Sequence, residues 1–414
     1  MKIQEFTLKS FRNYVNQSIK PHPRFNILSG GNGQGKTNFL EAVYYMGALR
    51  SFRGQNPREL LRWNNPTSIL SAKVEREGAG FVRDLDVEIN AKGRRFLVNG
   101  KVPRSVGDYA QELTLVVFVP DDVSVARSSP DIRRKFLDRA VFGAEPAHLS
   151  DTLAYSRALK SRNALLKDHN PNHEILEVFD ETLSDIGARL ITRRKRFLNR
   201  FLPLFREVHQ RFAPHSQEVG YQYRGPESET PEEISRELKE AFFRGRERDI
   251  KFKSTGSGPH TDDLIFTLQK RPIKNVGSQG EQRTVVLAWK IAEIHFLQRE
   301  RNERPILLLD DVSSELDHDR SGRFFTYVEE TEGQVFLTTT DPKHVPIEFT
   351  SEHRLDFQVK SGSITRFGEE PKPHLTLTAE EIVAMAMAET EEPEPIEPPL
   401  ASRIQEEHED DDEE

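Results

Sequence analysis

Residues 30–37 of the chain read Gly30-Gly31-Asn32-Gly33-Gln34-Gly35-Lys36-Thr37. Phe25–Leu28 just before them has the pattern of a short strand, and Lys36 begins a predicted helix that extends to about Leu49. Glycines allow backbone N–H groups to curl around phosphate oxygens, and the N-terminal end of a helix attracts negative charge. The stretch therefore predicts a phosphate-binding loop in an α/β domain, in which Lys36 reaches the β- and γ-phosphates and the Thr37 hydroxyl ligates Mg²⁺.

Such a loop requires a hydrophobic strand that ends in acidic residues, and Ile306–Leu309 followed by Asp310 and Asp311 has this form. Asp310 is expected to hold Mg²⁺ through water, and Asp311 lies where a carboxylate could polarise an attacking water. Alone, the segment could equally be a solvated strand end. Combined with the loop, it predicts a nucleotide-hydrolysing site whose catalytic residues are Lys36, Asp310 and Asp311.

A second glycine motif, Gly277–Arg283, precedes a helix rich in apolar residues. Ser278 and Glu281 have the spacing of a capping box, so an ordinary helix start is one interpretation. A Ser-x-Gly helix start also offers a hydroxyl and free N–H groups to an anion. Because the chain already has a phosphate loop, we interpret this second set of donors as serving the γ-phosphate of a nucleotide held by another subunit.

The length and composition exclude several classes of protein. The chain has 414 residues, enough for two domains of roughly 100–200 residues each, and it has no cysteine. Disulfides, thiolate metal sites and a cysteine nucleophile are therefore excluded, which fits a reducing cytosol. No apolar run approaches the roughly 18 residues that span a bilayer, and the N-terminus lacks the apolar core of a signal peptide. We therefore expect a cytoplasmic protein with no membrane partner.

The charge is divided unevenly along the chain. The net charge is −8, but the segment from Glu369 to Glu414 contains 17 acidic residues and only two basic ones, a net of −15. Residues 1–368 hold 57 basic and 50 acidic residues, a net of +7. A basic body with an acidic tail keeps a polyanion as a possible partner. The tail composition predicts disorder, with a solubilising spacer as the favoured role and partner binding as the alternative.

The periodicity predicts strands first, helices in the middle and two buried parallel strands near the end. This order favours a discontinuous α/β domain with a helical insertion. No heptad run is long enough for a coiled-coil arm. The predicted strands are Ile3–Leu8, Phe25–Leu28, three antiparallel strands within residues 69–102, Leu113–Val119, Val219–Tyr223, Asp263–Leu268, Ile306–Leu309 and Val335–Thr339. Helices are predicted over Lys36–Leu49, over Asp131–Glu207 with breaks at Gly143–Pro146 and His169–Pro171, and over Glu281–Arg301.

These motifs, taken in order, resemble the Walker A, signature, Walker B and D-loop segments of an ABC-type ATPase head; the D-loop is Ser314-Glu315-Leu316-Asp317. More closely, the chain is similar to the RecF family, SMC-like heads that lack the long coiled coil. The resemblance covers about residues 1–368. The motifs that carry it are Phe11-Arg12-Asn13-Tyr14, Gly33-Gln34-Gly35-Lys36-Thr37-Asn38, Arg50-Ser51-Phe52-Arg53, Arg133-Arg134-Lys135-Phe136-Leu137-Asp138, Gly258-Pro259-His260, Asp262-Asp263-Leu264 and Ser278-Gln279-Gly280.

The resemblance implies an ABC-type head with a mixed sheet in lobe I and an inserted helical lobe II. Lobe I would take residues 1–125 and 303–368, lobe II residues 126–302, and the disordered acidic tail residues 369–414. It also implies ATP and Mg²⁺ as cofactors, with Thr37 and Asp310 at the metal. The implied nucleotide-binding residues are Gly30, Gly31, Asn32, Gly33, Gln34, Gly35, Lys36, Thr37 and Asn38 of one subunit and Ser278, Gln279 and Gly280 of the other.

The implied function is ATP-gated DNA binding in recombinational repair and replication-gap maintenance. An ATP-bound homodimer would hold duplex DNA near single-strand gaps and, with RecO- and RecR-like partners, help to load RecA. A slow DNA-stimulated ATPase would then release it, since Asp311 stands where transporter heads carry glutamate and Thr340 where they carry histidine. A transport-coupling ATPase and a nuclease-coupled ATPase subunit are the alternatives.

Several basic clusters are candidates for DNA contact. Arg189, Arg193, Arg196 and Arg200 share one stripe of a predicted helix, beside its apolar face. Arg50 and Arg53, just after the Walker helix, are further candidates. Phosphate contacts of this kind read no base sequence and weaken steeply with salt. An ordinary solvated face is the alternative interpretation of any one cluster.

Overall fold

The strands lie in the part of the chain that the computed structural model describes, residues 1–54, 56–77, 80–312, 316, 318–345 and 352–368. The acidic tail lies outside these residues, so its predicted disorder stays a prediction. In chain order the strands are β1 (Lys2–Phe11), β2 (Tyr14–Ile19), β3 (Phe25–Ser29), β4 (Thr67–Glu75), β5 (Val82–Asn90), β6 (Gly93–Val98), β7 (Leu115–Phe118), β8 (Val219–Arg224), β9 (Asp263–Leu268), β10 (Arg271–Pro272), β11 (Ile306–Asp310), β12 (Val335–Thr339), β13 (Arg354–Lys360) and β14 (Ser363–Arg366).

The helices confirm the predicted insertion between β7 and β11. The two predicted breaks separate the third helix from the fourth and the fourth from the fifth. In chain order the helices are α1 (Lys36–Ala48), α2 (Val106–Ala110), α3 (Pro130–Ala144), α4 (Ala147–Leu165), α5 (His173–Phe212), α6 (Pro231–Phe252), α7 (Ile273–Val276), α8 (Gln279–Arg301) and α9 (His318–Glu330). None of them, within the described residues, is long and apolar enough to cross a membrane.

The largest sheet in the described part of the chain has six strands in the order β14-β13-β3-β12-β11-β7. Every neighbouring pair from β13 to β7 is parallel, and β14 pairs antiparallel with β13. All residues of β3, β11 and β12 are buried, which is the burial expected of strands covered on both faces. The parallel arrangement brings the carboxyl ends of β3, β12 and β11 to the same edge of the sheet.

A second sheet is antiparallel, in the order β2-β1-β4-β5-β6. The prediction for this region was incomplete, because it included no strand in the segment between Ile3–Leu8 and Phe25–Leu28. It contains β2, which folds back on β1 with Leu8 opposite Gln17. Only Tyr14 and Ile19 at its two ends are buried, so the strand has too few apolar residues to show a period of two.

The helical insertion packs around Trp289 of α8. The rings of Phe201 and Phe205 on α5 lie 4.4 and 5.3 Å from the Trp289 ring, and Phe266 on β9 lies 5.3 Å from it. Phe201 belongs to the apolar face predicted for α5, of which Leu190, Phe197 and Phe201 are buried and Ile186 is partly buried. The small sheet β10-β9-β8 closes this side of the core.

A buried ionic cluster joins α4, α5 and α6. The guanidinium of Arg162 has no exposed side-chain surface and donates to Asp180 at 2.7 Å, Asp249 at 2.9 Å and the Thr255 hydroxyl at 2.8 Å. Arg246 makes a second ion pair with Asp180 at 2.9 Å. Because both carboxylates are buried, their charge depends on these arginines for compensation.

We expect the change Arg162→Met to lower the free energy of unfolding by about 3–5 kcal/mol, since it leaves the buried Asp249 without its nearest cation and Asp180 with Arg246 alone. Urea denaturation followed by circular dichroism measures this. Arg244→Met is the control, because Arg244 pairs with Glu240 at the surface of α6. It should change the free energy of unfolding by less than about 1 kcal/mol. Equal losses in the two variants would contradict a structural role for the Arg162 cluster.

Candidate nucleotide-binding site

The phosphate loop approaches the backbone of β13 so closely that only glycine fits at its first position. Gly30 has φ 156°, and a Cβ atom there would lie 2.3 Å from the carbonyl oxygen of Val359. Gly35 has φ 120°, and a side chain there would also be too close to a neighbour, since a Cβ atom would lie 2.6 Å from the side-chain amide nitrogen of Asn13. Both positions need a left-handed or strained backbone that glycine adopts readily.

Two segments from distant parts of the chain hold the loop. The Asn13 amide donates to the Gln34 carbonyl at 2.9 Å, and the Tyr14 hydroxyl donates to the Gly35 carbonyl at 3.0 Å. From the other side, the Gly362 N–H donates to the same Gln34 carbonyl at 3.0 Å, and the Ser361 N–H to the Gln34 side-chain oxygen at 2.7 Å. Gln34 is therefore engaged in shaping the loop. From the sequence alone, Gln34 was predicted to contact the nucleotide, and its part in holding the loop was not predicted.

Lys36 and Thr37 begin α1 and face the end of β11. The Lys36 ammonium donates to the carbonyls of Gly30 at 2.6 Å and Gly31 at 2.9 Å. The Thr37 hydroxyl donates to Asp310 at 2.9 Å. Burial lowers the pKa of Lys36, although the nearby carboxylates of Asp310 and Asp311 act in the opposite direction. The structure thus brings together the predicted loop and the predicted acidic strand end.

The donor set at this point fits Mg²⁺. Asp310 supplies a carboxylate and Thr37 a hydroxyl, both hard oxygen ligands. The described residues contain no group of three or more His, Cys, Asp or Glu side chains that could form a metal cage. Mg²⁺ suits such a sparse set, because it usually keeps several waters and binds through one or two carboxylates and substrate phosphates.

Threonine hydroxyls hold Asp310 in place. Thr338 at the end of β12 donates to the same Asp310 oxygen at 2.8 Å, and the Asp311 N–H donates to the Thr338 hydroxyl at 3.0 Å. Burial raises the pKa of Asp310, while the hydrogen bonds from Thr338 and Thr37 lower it in part. Asp311 has a left-handed backbone with φ 47°. Of the predicted D-loop, Ser314, Glu315 and Asp317 lie outside the described residues.

A buried glutamate that the sequence motifs did not reveal organises the segment after α1. Glu41 on α1 is fully buried and accepts two hydrogen bonds from Arg12, each 3.0 Å long, and one from the Ser51 hydroxyl at 2.5 Å. Arg53 lies 3.6 Å from its carboxylate. The available signal was a single acidic residue within an otherwise mostly apolar helix, Lys36–Ala48. This arrangement gives the Phe11–Tyr14 and Arg50–Arg53 motifs a shared structural partner.

The second glycine motif begins α8 as predicted. The Glu281 N–H donates to the Ser278 hydroxyl at 3.2 Å, and the Ser278 N–H donates to the Glu281 carboxylate at 2.8 Å, which is a complete capping box. Ser278 and Gln279 are nevertheless exposed. Gly280 lies under Arg320, whose guanidinium nitrogen would be 2.6 Å from a Cβ atom there. The helix-start interpretation is therefore confirmed, and binding of a second subunit's nucleotide stays a prediction.

Comparison with known proteins identifies the family. The model of the RecF/RecN/SMC N terminal domain matches residues 2–352. The DNA replication and repair protein RecF of Geobacter metallireducens is 38% identical over 369 residues, which cover 88% of this chain and 100% of the relative. RecF of Myxococcus xanthus is 38% identical over 348 residues, which cover 82% and 91%. The chain belongs to the RecF family.

Solved structures agree with this assignment. Two structures of the recombination mediator protein RecF in the RecFOR pathway, RecF-ATPrS and RecF-ATP, have TM-scores of 0.78 and 0.77. Each is 28% identical to this chain and covers 88% of it and 97% of its own length. An Smc head domain, with a TM-score of 0.50 and 15% identity, shares the fold. The predicted mixed α/β ATPase head is thereby confirmed, while the lobe boundaries at 125/126 and 302/303 stay predictions.

Two of the basic residues proposed for DNA contact in this RecF-family protein contact other side chains of the chain itself. Arg53 donates to the Asn38 side chain at 3.1 Å, and its charge lowers the pKa of Asp310, against the larger effect of burial. Arg50 stacks on the Phe142 ring of α3 at 5.4 Å, and its buried Nη2 has no hydrogen-bond partner among the described residues. These positions support roles in the nucleotide site and in packing against α3 better than a DNA contact.

The arginine stripe of α5 is paired with acidic residues of neighbouring helices. Arg189 lies 3.0 Å from Asp151, and Arg193 pairs with the same carboxylate. Arg196 lies 3.5 Å from Glu145, and Arg200 pairs with Glu300. Each acidic partner offsets the positive charge of an arginine that, from its spacing on the helix alone, would be available to contact DNA. DNA binding by this stripe stays a prediction with weaker support.

We expect Gly30→Ala to lower the affinity for ATP by about tenfold or more, because a side chain there strains the loop by about 1–3 kcal/mol. Titration with a fluorescent ATP analogue measures this. Gly31→Ala is the matched control, since the nearest atom to its Cβ would be Gln34 Cγ at 3.7 Å, an ordinary contact. Equal affinities for the two variants would show that the contact with Val359 does not shape the site.

Proposed function

We propose that this RecF-family protein is a cytoplasmic, ATP-gated DNA-binding protein of recombinational repair and gap maintenance. Two copies close around ATP and hold duplex DNA near a single-strand gap. With RecO- and RecR-like partners they promote loading of RecA, and slow hydrolysis releases them. The observation that carries the nucleotide part is the 2.9 Å hydrogen bond between Thr37 and Asp310, beside the Lys36 ammonium. The proposal that the protein binds DNA rests on its membership of the RecF family.

Each residue of the site has a task that its position supports. Lys36, held at the mouth of the loop by the Gly30 and Gly31 carbonyls, exchanges these partners for the β- and γ-phosphate oxygens. Thr37 and Asp310 would hold Mg²⁺, which supplies neutralisation of phosphate charge when bound. Asp311 orients and deprotonates the attacking water.

The partner copy completes the site through the N-terminus of its α8. Ser278 and Gln279 are exposed there, and the first turn of a 23-residue helix offers N–H groups and a favourable dipole to a γ-phosphate. ATP thereby becomes a part of the interface, and loss of the γ-phosphate on hydrolysis weakens it. The short carboxylate of Asp311 and the hydroxyl of Thr340 favour slow turnover, which suits a timed clamp.

We expect sedimentation to show dimers with ATP and monomers with ADP or without nucleotide. Lys36→Met should remain monomeric with ATP, because the loop loses its charge-assisted contacts to the phosphates. The same variant should lose ATP-dependent retention of gapped duplex DNA in gel shifts. Lys92→Met, in the exposed turn between β5 and β6, is the control and should behave as the unmodified protein does. A protein that stays monomeric with every nucleotide would overturn the dimer proposal.

We expect Glu281→Gln to strengthen ATP-dependent dimerisation by about fivefold or more. The Glu281 carboxylate lies at the α8 terminus that would face the partner's γ-phosphate. Two like charges about 4 Å apart repel by about 1 kcal/mol in water, and by more at an interface that excludes water. Glutamine retains the capping box, so the fold is preserved. Dimerisation without nucleotide should not change. Glu247→Gln on the exposed surface of α6 is the control, and an equal effect there would exclude a local role for Glu281.

A further inference from the structure

An arginine of α9 lies against the first turns of α8. The Arg320 guanidinium would be 2.6 Å from a Cβ atom at Gly280, and its Nε donates to the Thr284 hydroxyl at 3.2 Å. Gly280 is the second residue of α8 and Thr284 the sixth. Because residues four apart lie on one face of a helix, the guanidinium covers the face that carries Gly280. Arg320 therefore contacts the segment that the proposed function assigns to the partner's nucleotide.

The helix that carries Arg320 is anchored in the core. Phe324 and Val328, one and two turns further along α9, are buried. The Phe324 ring lies 5.8 Å from the ring of Phe118 on β7, a strand of the largest sheet. Burial of these apolar side chains fixes α9 against the sheet, and so fixes the backbone from which Arg320 extends toward α8.

Arg320 also follows the acidic end of β11 closely in the chain. Asp310, ten residues before Arg320, accepts the hydrogen bond from Thr37 in its own nucleotide site. The first turn of α8, which Arg320 contacts, would serve the nucleotide of the partner copy. Residues close in sequence thus contribute to both sites of the proposed dimer: Asp310 to the copy's own site, and Arg320, through α8, to the other.

We propose that Arg320 is a positioning residue for the nucleotide held by the partner copy. It holds the first turn of α8 in place, so that the Ser278 hydroxyl and the N–H groups of that turn meet the γ-phosphate. Its positive charge adds to the favourable potential of the helix N-terminus. This role rests on the proposed function, because it requires two copies that share ATP. A monomer does not use its own α8 terminus, so its affinity for ATP should not depend on Arg320.

The change Arg320→Ala should weaken ATP-dependent dimerisation, measured by sedimentation, by about tenfold or more, since a hydrogen bond from a charged group contributes about this much. The affinity of the dilute monomer for a fluorescent ATP analogue should stay unchanged. Arg323→Ala on the same helix is the control, because Arg323 donates instead to the Phe212 carbonyl at the end of α5, at 2.9 Å. Equal losses of dimerisation in the two variants, or a weaker affinity of the Arg320→Ala monomer for the analogue, would overturn the assignment.

A mixture of two defective variants tests whether Arg320 acts on the nucleotide of the other copy. Lys36→Met lacks the phosphate contact, and Arg320→Ala lacks the contact with α8. In a mixed pair, one site combines the intact Lys36 of one copy with the intact Arg320 of the other. Each variant alone should release phosphate from ATP slowly, and the mixture should recover up to about half of the unmodified rate, since one of two equivalent sites is restored. A purely structural loss, or an action of Arg320 on its own nucleotide, gives no recovery and overturns the proposal.

A second mixture, Lys36→Met with Ser278→Asp, separates the role of Arg320 from the proposed function itself. Aspartate caps a helix as serine does, but its charge repels a γ-phosphate. This mixture should also recover hydrolysis if two copies share ATP. Recovery here without recovery in the Arg320→Ala mixture would overturn the role of Arg320 and leave the shared nucleotide in place. No recovery in either mixture would overturn the shared nucleotide, and the role of Arg320 with it.

Discussion

The hydrogen bond between Thr37 and Asp310 is the contact on which the nucleotide site depends. It joins residues that are 273 positions apart in the chain. The contact exists because β3, β12 and β11 are parallel neighbours, so that their carboxyl ends meet at one edge of the sheet. Thr338 on the middle strand donates to the same Asp310 oxygen and completes the bridge. The predicted cation ligand and the predicted phosphate loop are thus positioned together by strand order, at the edge where open α/β sheets bind their ligands.

The four residues after the Walker helix connect this site to the helical insertion. Arg53 reaches Asn38, Ser51 bonds the buried Glu41, and Arg50 stacks on Phe142 of α3. Arg12 approaches the same glutamate from β1. One carboxylate therefore organises two motifs that lie on either side of the phosphate loop in sequence. This arrangement explains why basic residues that resemble a DNA-binding cluster in sequence have partners within the protein.

Ion pairs with neighbouring acidic side chains decide which basic residues of the positively charged region, residues 1–368, are available to bind a polyanion. The regular spacing of the α5 arginines predicted a charged stripe, and the stripe exists, but α4, the connection between α3 and α4, and α8 present acids to it. Net charge and periodicity indicate that a polyanion is a plausible partner. Only the paired and unpaired states of individual side chains indicate where it would bind.

The sequence alone determined the phosphate loop, the acidic strand end, the capped start of α8 and the order of strands and helices around them. These are local properties: a glycine's freedom at φ 156°, a helix cap and the burial period of a strand each depend on a few adjacent residues. The prediction did not include β2, α6, α9, β13 or β14, although β13 alternates Leu355, Phe357 and Val359 and α6 has apolar residues at helical spacing. The tertiary structure alone decided that Val359 excludes a side chain at Gly30, that Glu41 binds Arg12 and Ser51, and that the α5 stripe is neutralised. Each of these depends on a partner that is distant in the chain and is chosen by packing, and no local pattern records such a partner.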